Sequence, residues 1–256
     1  MESTEPKQSR PVALVTGASG GIGRACAEAL ASARDACDIA VHFNSSASVA
    51  NELAKELNAR YGVRAAALHA DLGKASAAEQ LVEQTAAALG APSILIHAAG
   101  HYLEKPITFT KPEEFDALFE VHVFSAVALT KAMTRHLRKN ERGRIVYIGS
   151  LAGCIGLGYG AAYAAAKGAL DGLCKSFALE SARWKTTVNV VAPGLVDTPM
   201  TAPQDPKRRE AAMQGIPLKR YATSAEIASL AAYLCSAQAA YITGQTILMD
   251  GGSSLG

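Results

Sequence analysis

Tyr163 and Lys167, in "AYAAAKGAL" (162–170), stand four residues apart in a run that is otherwise mostly alanine. In a helix, positions i and i+4 lie on one face, so the phenol and the ammonium would point the same way. A free phenol keeps its proton to a pKa of about 10. A neighbouring cation favours the phenolate and brings that value down. Such a pair could give and take a proton near neutrality, which is general acid–base chemistry. A core tyrosine beside a lysine whose stem snorkels outward leaves the same pattern, so the reading depends on what else converges on this helix.

A second group of residues suits an anionic ligand. In "TGASGGIGRA" (16–25), Gly17, Gly21 and Gly23 are spaced G-x-x-x-G-x-G directly after an apolar run and before a helical one. Glycine lets a backbone turn sharply and approach a pyrophosphate closely. The helix start then supplies unpaired N–H groups and the positive end of its dipole. The residues of this loop, including Ser19, Ile22 and Arg24, are therefore candidates for holding a dinucleotide. A carboxylate at the end of the second strand would grip the ribose 2′-hydroxyl of NAD. The chain instead reads "DIAVHFNSSAS", with Asp38 at the opposite end and Asn44, Ser45 and Ser46 where the carboxylate would stand. Uncharged donors there, with Arg24 within reach of a phosphate, favour NADP(H); the serines could equally cap the next helix. Asp71 and Leu72 in "HADL" close the third strand, and Asp71 could meet the adenine amino group or cap a helix.

The elements that must position these residues recur as a short apolar run followed by an alanine-rich helical stretch. Strands are expected at 12–16, 38–43, 64–70, 93–99, 144–150, 187–193 and 245–249. Helices are expected at about 22–33, 46–60, 75–89, 112–138, from Tyr163 to about 183, and at about 224–235. Continuous apolar strands alternating with helices indicate an α/β fold with a parallel sheet covered on both faces. Right-handed crossovers make it doubly wound and Rossmann-like, with ligands outside the carboxyl ends of the strands. One domain over 11–256 is expected, after a flexible tail at 1–10.

Composition narrows the function classes. The 25 basic and 23 acidic residues leave a net charge of +2, which gives no reason to expect nucleic acid or an anionic membrane. No window of eighteen consecutive apolar residues is present, and "MESTEPKQSRP" lacks the apolar core of a secretory signal. The five cysteines form no C-x-x-C and no zinc-like cluster. A reducing, cytoplasmic compartment and no metal site are therefore expected.

Taken together, the motifs resemble the short-chain dehydrogenase/reductase family from about residue 11 to the end. "TGASGGIG" matches its T-G-x-x-x-G-x-G, and Tyr163 and Lys167 match its Y-x-x-x-K. Ser150 in "IVYIGSLAG", "NVVAPGLVDTPM" and "ITGQTILMDGG" match its remaining signatures in order. The resemblance implies an NADPH-dependent oxidoreductase with Ser150, Tyr163 and Lys167 catalytic. Ser150 would donate to the substrate oxygen, and Lys167 would also bind the nicotinamide ribose. Pro193, Gly194, Val196 and Thr198 would hold the carboxamide, and Ala98, Ala99 and Gly100 would let the ribose approach. "RGRIVYIGS", "TVNVVAPG", "IPLKR" and "YITGQTILMDGG" are most like 3-oxoacyl-[acyl-carrier-protein] reductases, implying fatty-acid or related biosynthesis. An alcohol, sugar or steroid dehydrogenase, or a non-catalytic NADP-binding scaffold, would share much of this pattern.

Two positions depart from the family. His122 replaces the usual asparagine of a proton relay, and His97–Ala98 replace the paired asparagines after the fourth strand. A backbone carbonyl serves that relay, so activity is expected to survive, with a path through the imidazole as the alternative. The segment 197–220, broken by Pro199, Pro203 and Pro206, is read as a substrate lid. Lys207, Arg208 and Arg209, or Arg135, Arg138, Lys139, Arg142 and Arg144, could meet an acidic carrier protein. Family resemblance further implies a homotetramer.

Overall fold

In the computed structural model, which describes residues 10–74, 76–140, 142–201 and 205–255, seven parallel strands form one sheet. They are β1 (Val12–Thr16), β2 (Asp38–Phe43), β3 (Ala65–His69), β4 (Pro92–His97), β5 (Arg144–Ile148), β6 (Thr187–Pro193) and, after a short pair β7 (Val196–Asp197) and β8 (Ala222–Thr223), β9 (Thr246–Met249). Their spatial order is β3-β2-β1-β4-β5-β6-β9. The order reverses direction beside β1, between β1 and β4, which opens a crevice at the carboxyl ends of those two strands.

The helices are α1 (Gly21–Ser32), α2 (Ala47–Tyr61), α3 (Ala77–Leu89), α4 (Pro112–Phe119), α5 (Ser125–Leu137), α6 (Leu151–Ile155), α7 (Ala161–Ser181), α8 (Pro206–Gln214) and α9 (Ser224–Cys235). Side chains alternate across each strand. Ala13 and Val15 of β1 therefore face a core with Leu30 of α1, Leu53 of α2 and Ile227 of α9. Val12 and Leu14 face the other core, with Leu81 of α3, Leu129 and Met133 of α5 and Leu170 of α7. The run Pro112–Leu137 is apolar and long enough to span a bilayer by length and composition. Here its apolar side chains pack against the sheet and α7 as those of a core helix.

The structure bears out the doubly wound sheet and shifts several boundaries by one or two residues. β4 stops at His97 and β5 at Ile148, so Ala98, Ala99 and Ser150 lie in the turns beyond. The expected helix 112–138 is interrupted by a wide π-type turn at Glu120–Phe124. Ser125 Oγ donates to the Val121 carbonyl at 2.7 Å, and the His122 ring reaches out to the His101 carbonyl. The first of these competes with regular helical pairing for the Val121 carbonyl. The stretch after β6 is also less irregular than expected. Asp205 accepts from the Lys207 and Arg208 amides and Pro206 fills the first helical position, which starts α8. Of the sequence readings, the tail at 1–9 and Pro203 lie outside the described residues.

Candidate active site

The glycine loop is shaped by what a side chain would strike. Gly17 has φ +66°, and a Cβ there would stand 2.9 Å from Ala99 Cα. At Gly23 a Cβ would stand 2.3 Å from the Gly17 carbonyl oxygen, and at Gly21 2.9 Å from Thr198 Cγ2. The loop thus lies against Ala98–Ala99 on one side and Thr198 on the other. No side chain caps the start of α1. Backbone N–H groups over a side-chain-free cradle fit a dinucleotide pyrophosphate.

Two histidines that the sequence reading did not assign to this loop hold it in place. His42 Nδ1 accepts from the Gly17 amide at 3.0 Å, and its Nε2 donates to the Ala70 carbonyl at 3.0 Å. Burial lowers its pKa to about 4, so the ring is neutral. Thr16 Oγ1 accepts from the amides of Ala98 and Ala99, both at 3.1 Å, and so has its proton left for His97 Nδ1 at 2.9 Å. His97 Nε2 then donates toward Ser125 Oγ at 3.3 Å. Burial, then the Lys167 charge, take the His97 pKa down to about 3. The ring that replaces the family's asparagine therefore ties the end of β1 to the first residue of α5.

The remaining dinucleotide candidates divide. Asn44, Ser45 and Ser46 are exposed at the end of β2, and Ser46 makes no side-chain cap bond. Buried Asp38 sits at the far end, paired with Arg64 at 2.6 Å. Ser19 and Ile22 lie half-buried in the loop, with Leu72 buried beyond β3. Asp71 accepts from the Gly73 amide at 3.2 Å and pairs with Lys74 at 3.5 Å, so it shapes a turn rather than capping α3. Arg24 is engaged by two carboxylates. It pairs with Glu28 at 2.9 Å, one turn along α1, and with Glu56 of α2 at 2.5 Å. Pro193 ends β6, and Gly194, Val196 and Thr198 follow it, where the Gly194 amide bonds the Met249 carbonyl and Thr201 Oγ1 bonds the Val196 carbonyl.

Ser150, Tyr163 and Lys167 come together as their spacing implies. Ser150 caps α6 by accepting from the Ala152 amide at 3.2 Å, and its hydroxyl is close enough to the Tyr163 phenol to favour the phenolate. Lys167 is buried and donates to the Ile148 carbonyl at 2.7 Å, with Nζ 5.8 Å from the centre of the Tyr163 ring. The expected electrostatics need correcting. Burial raises the Tyr163 pKa, and the opposing influence is the Ser150 hydrogen bond, not Lys167. The pair is tuned from the other side, because burial brings Lys167 down to about 7. The Tyr163 ring is walled edge-on by Tyr102 at 5.1 Å and by His122 at 5.6 Å between centroids.

Most residues of the basic clusters make contacts within the chain, although all but Arg144 and Arg209 are exposed. Arg208 pairs with Glu104, while Arg209 pairs with Asp197 at 3.2 Å and lies over the Tyr221 ring. Arg144 is buried against the Gly143, Lys185 and Ser236 carbonyls, Arg138 covers the Trp184 ring and Arg135 meets Glu83 at 3.5 Å. Lys139, Arg142 and Lys207 are exposed. Among the described residues, no three His, Cys, Asp or Glu side chains are grouped to hold a metal ion.

A family model described as enoyl-(acyl carrier protein) reductase matches residues 17–254. The chain is 38% identical over 241 residues to the 3-oxoacyl-[acyl-carrier-protein] reductase FabG of Escherichia coli K12, covering 94% of this chain and 96% of that one. Acetoin dehydrogenase from Enterobacter cloacae superposes with a TM-score of 0.87 at 36% identity, covering 96% of each chain. A blue fluorescent protein from a metagenomic library, solved in complex with NADPH, superposes with a TM-score of 0.90 at 32% identity, covering 96% of this chain and 98% of that one. With its glycine cradle, its Ser150–Tyr163–Lys167 constellation and these relatives, the chain belongs to the short-chain dehydrogenase/reductase family and is an oxidoreductase that uses a nicotinamide cofactor.

Proposed function

We propose that the protein is an NADPH-dependent ketone reductase, acting on 3-oxoacyl thioesters carried by acyl carrier protein or CoA. The observation that carries the reductase reading is the convergence of Ser150 and Tyr163, close enough for the serine hydroxyl to act on the phenol, beside a buried Lys167. When bound, the nicotinamide supplies or accepts the hydride. Ser150 donates to the substrate oxygen and polarises the carbonyl. Tyr163, kept protonated by burial, gives its proton to that oxygen as charge develops. Lys167, with a pKa near 7, returns a proton to Tyr163. The preference for NADPH is supported by the uncharged Asn44–Ser46 at the end of β2 and by the NADPH-bound neighbour. The thioester reading is supported by the FabG relative.

A second reading is a dehydrogenase of small hydroxyketones. It is favoured by the likeness to acetoin dehydrogenase and by lid cations that pair within the chain. NADPH oxidation with acetoacetyl thioester and with diacetyl, run beside NADH and beside Tyr163→Phe, separates the two. Fast thioester turnover abolished in the variant supports the first reading; turnover of diacetyl alone supports the second. If Tyr163→Phe leaves either rate unchanged, the assigned proton donor is wrong, and both readings fall.

We further place the protein in the cytoplasm as a homotetramer. The five cysteines are unpaired, and Phe124, Val127, Leu179, Tyr241 and Leu248 expose large apolar side chains on the helical face and at the β9 edge. Light scattering across a dilution series tests the assembly, and a monomer at all concentrations would overturn it.

A further inference from the structure

Tyr159 holds a backbone conformation that its residue type resists. Its φ is +61°, in the left-handed region where the Cβ crowds the following carbonyl. Gly158 and Gly160 stand on either side and could turn the chain that way freely, yet neither takes positive φ. The tyrosine occupies the third position of the turn Leu157–Gly160, closed by the Gly160 amide on the Leu157 carbonyl at 3.1 Å. A turn with positive φ at that position ordinarily carries glycine or asparagine there.

No contact of the ring offsets this strain. Tyr159 is 66% exposed, and among the described residues its ring meets no other ring and its hydroxyl has no hydrogen-bond partner. What is fixed is the backbone. The Tyr159 carbonyl accepts from the Lys105 amide at 2.6 Å, and Lys105 Nζ donates to both Glu114 oxygens at 2.8 Å. The turn is therefore anchored to α4 while the side chain is left free. Strain of this kind gathers at ligand clamps.

The turn stands at the catalytic residues. Ser150 precedes α6, Tyr163 lies in the first turn of α7, and the chain between them carries Tyr159 four residues before Tyr163. The bond to Lys105 joins this turn to the segment whose Tyr102 ring stands edge-on to Tyr163. Ile155 and Leu157 add exposed apolar surface on the same stretch. Phenol rings thus come from two segments, 102–105 and 155–160, that hydrogen-bond to each other beside the proton donor.

We propose that Tyr159 is a specificity-determining residue, whose ring lies against an aryl substituent of the ketone, several bonds from the carbonyl that is reduced. The proposal rests on the reductase reading given above and narrows its substrate to ketones larger than the four-carbon ones. A flat apolar group stacks on a phenol ring in an offset or edge-on arrangement, which a short methyl ketone cannot reach.

N-acetylcysteamine thioesters of acetoacetate and of 3-oxo-5-phenylpentanoate test this. Wild type should favour the phenyl-bearing thioester by about tenfold in kcat/KM. Tyr159→Gly should lose that preference through a raised KM for the phenyl-bearing thioester, and Tyr159→Phe, which keeps the ring, should retain it. Because glycine takes positive φ freely, Tyr159→Gly should also melt at a higher temperature than wild type. A preference that survives in Tyr159→Gly, or a glycine variant that melts lower, overturns the proposal. Calorimetry with 4-phenyl-2-butanone on the full-length chain reads binding without turnover. Binding about tenfold weaker to Tyr159→Gly is expected. Equal binding, or none to either protein, overturns the proposal. If neither thioester is reduced, the reductase reading fails, and the calorimetry still judges the ring.

Discussion

Arg208 on α8 pairs with Glu104 in the turn after β4, which ties this helix to the wall of the candidate active site. The other Glu104 oxygen accepts from the Tyr102 hydroxyl at 3.3 Å, and the Tyr102 ring stands edge-on to Tyr163. α8 buries none of its side chains, so ion pairs rather than packing hold it down. Breaking Arg208–Glu104 should therefore loosen α8. Arg208→Ala should raise the substrate KM by a factor on the order of two to five and leave cofactor affinity unchanged. Raised salt should do the same to the wild type but little to the variant. A charge swap, Glu104→Lys with Arg208→Glu, should recover part of the loss. Steady-state kinetics at two ionic strengths check this.

The two neutral histidines make the fold sensitive to acid. In the unfolded chain each binds a proton near pH 6.5; folded, His42 does so only near 4 and His97 near 3. Between these values the unfolded state holds more protons, so stability is full above about pH 6.5 and falls as the pH drops toward 4. For His42 the loss across that window is roughly 3 kcal/mol. Denaturant melts from pH 7.5 to 4.5 should show this slope, and His42→Gln should flatten it.

Gly100 and His122 should be coupled. Gly100→Ala places a methyl where His122 Cε1 now lies, so the ring must leave its slot. A loss of about 1–3 kcal/mol is expected from such overpacking. The same change made in His122→Ala should cost much less, because the obstructing ring is gone. A double-mutant cycle from denaturant melts measures the difference.

Cofactor choice should follow the end of β2 and not Arg24. Arg24→Ala should leave NADPH affinity unchanged and lower the melting temperature slightly, since its partners are Glu28 and Glu56. Asn44→Asp should weaken NADPH relative to NADH by about tenfold, since a carboxylate there repels a 2′-phosphate. Fluorescence titration with both nucleotides tests both statements.

The sequence made legible what is encoded locally. The glycine spacing at Gly17, Gly21 and Gly23, the i,i+4 pair Tyr163–Lys167 and the alternation of apolar runs each fall within one short window, and the structure places them as read. What escaped depends on contacts distant in sequence. His42 meets Gly17 and Ala70, His97 meets Thr16, and Arg208 meets Glu104. No local pattern announces any of them. The Arg24–Glu56 pair escaped for the same reason, because Glu56 stands too far along the chain to be paired by eye. The direction of the Tyr163 pKa was missed because spacing reports proximity but not burial, which here is the larger influence. The start of α8 was available in Asp205–Pro206.

The wide turn at Glu120–Phe124 gives the segment from Pro112 to Leu137 one residue more than an unbroken α-helix of that rise would need. Each residue advances a helix by about 100°, so the extra one works as a phase shifter. Ahead of it, Leu118 packs on Ala162 and Ala166 at the start of α7; beyond it, Leu129 and Met133 pack on the sheet. A chain with one residue deleted in this turn could still be helical throughout. Its two halves would then be out of step, with either the support under Tyr163 or the sheet contact rotated away, and the His122 slot would close with them.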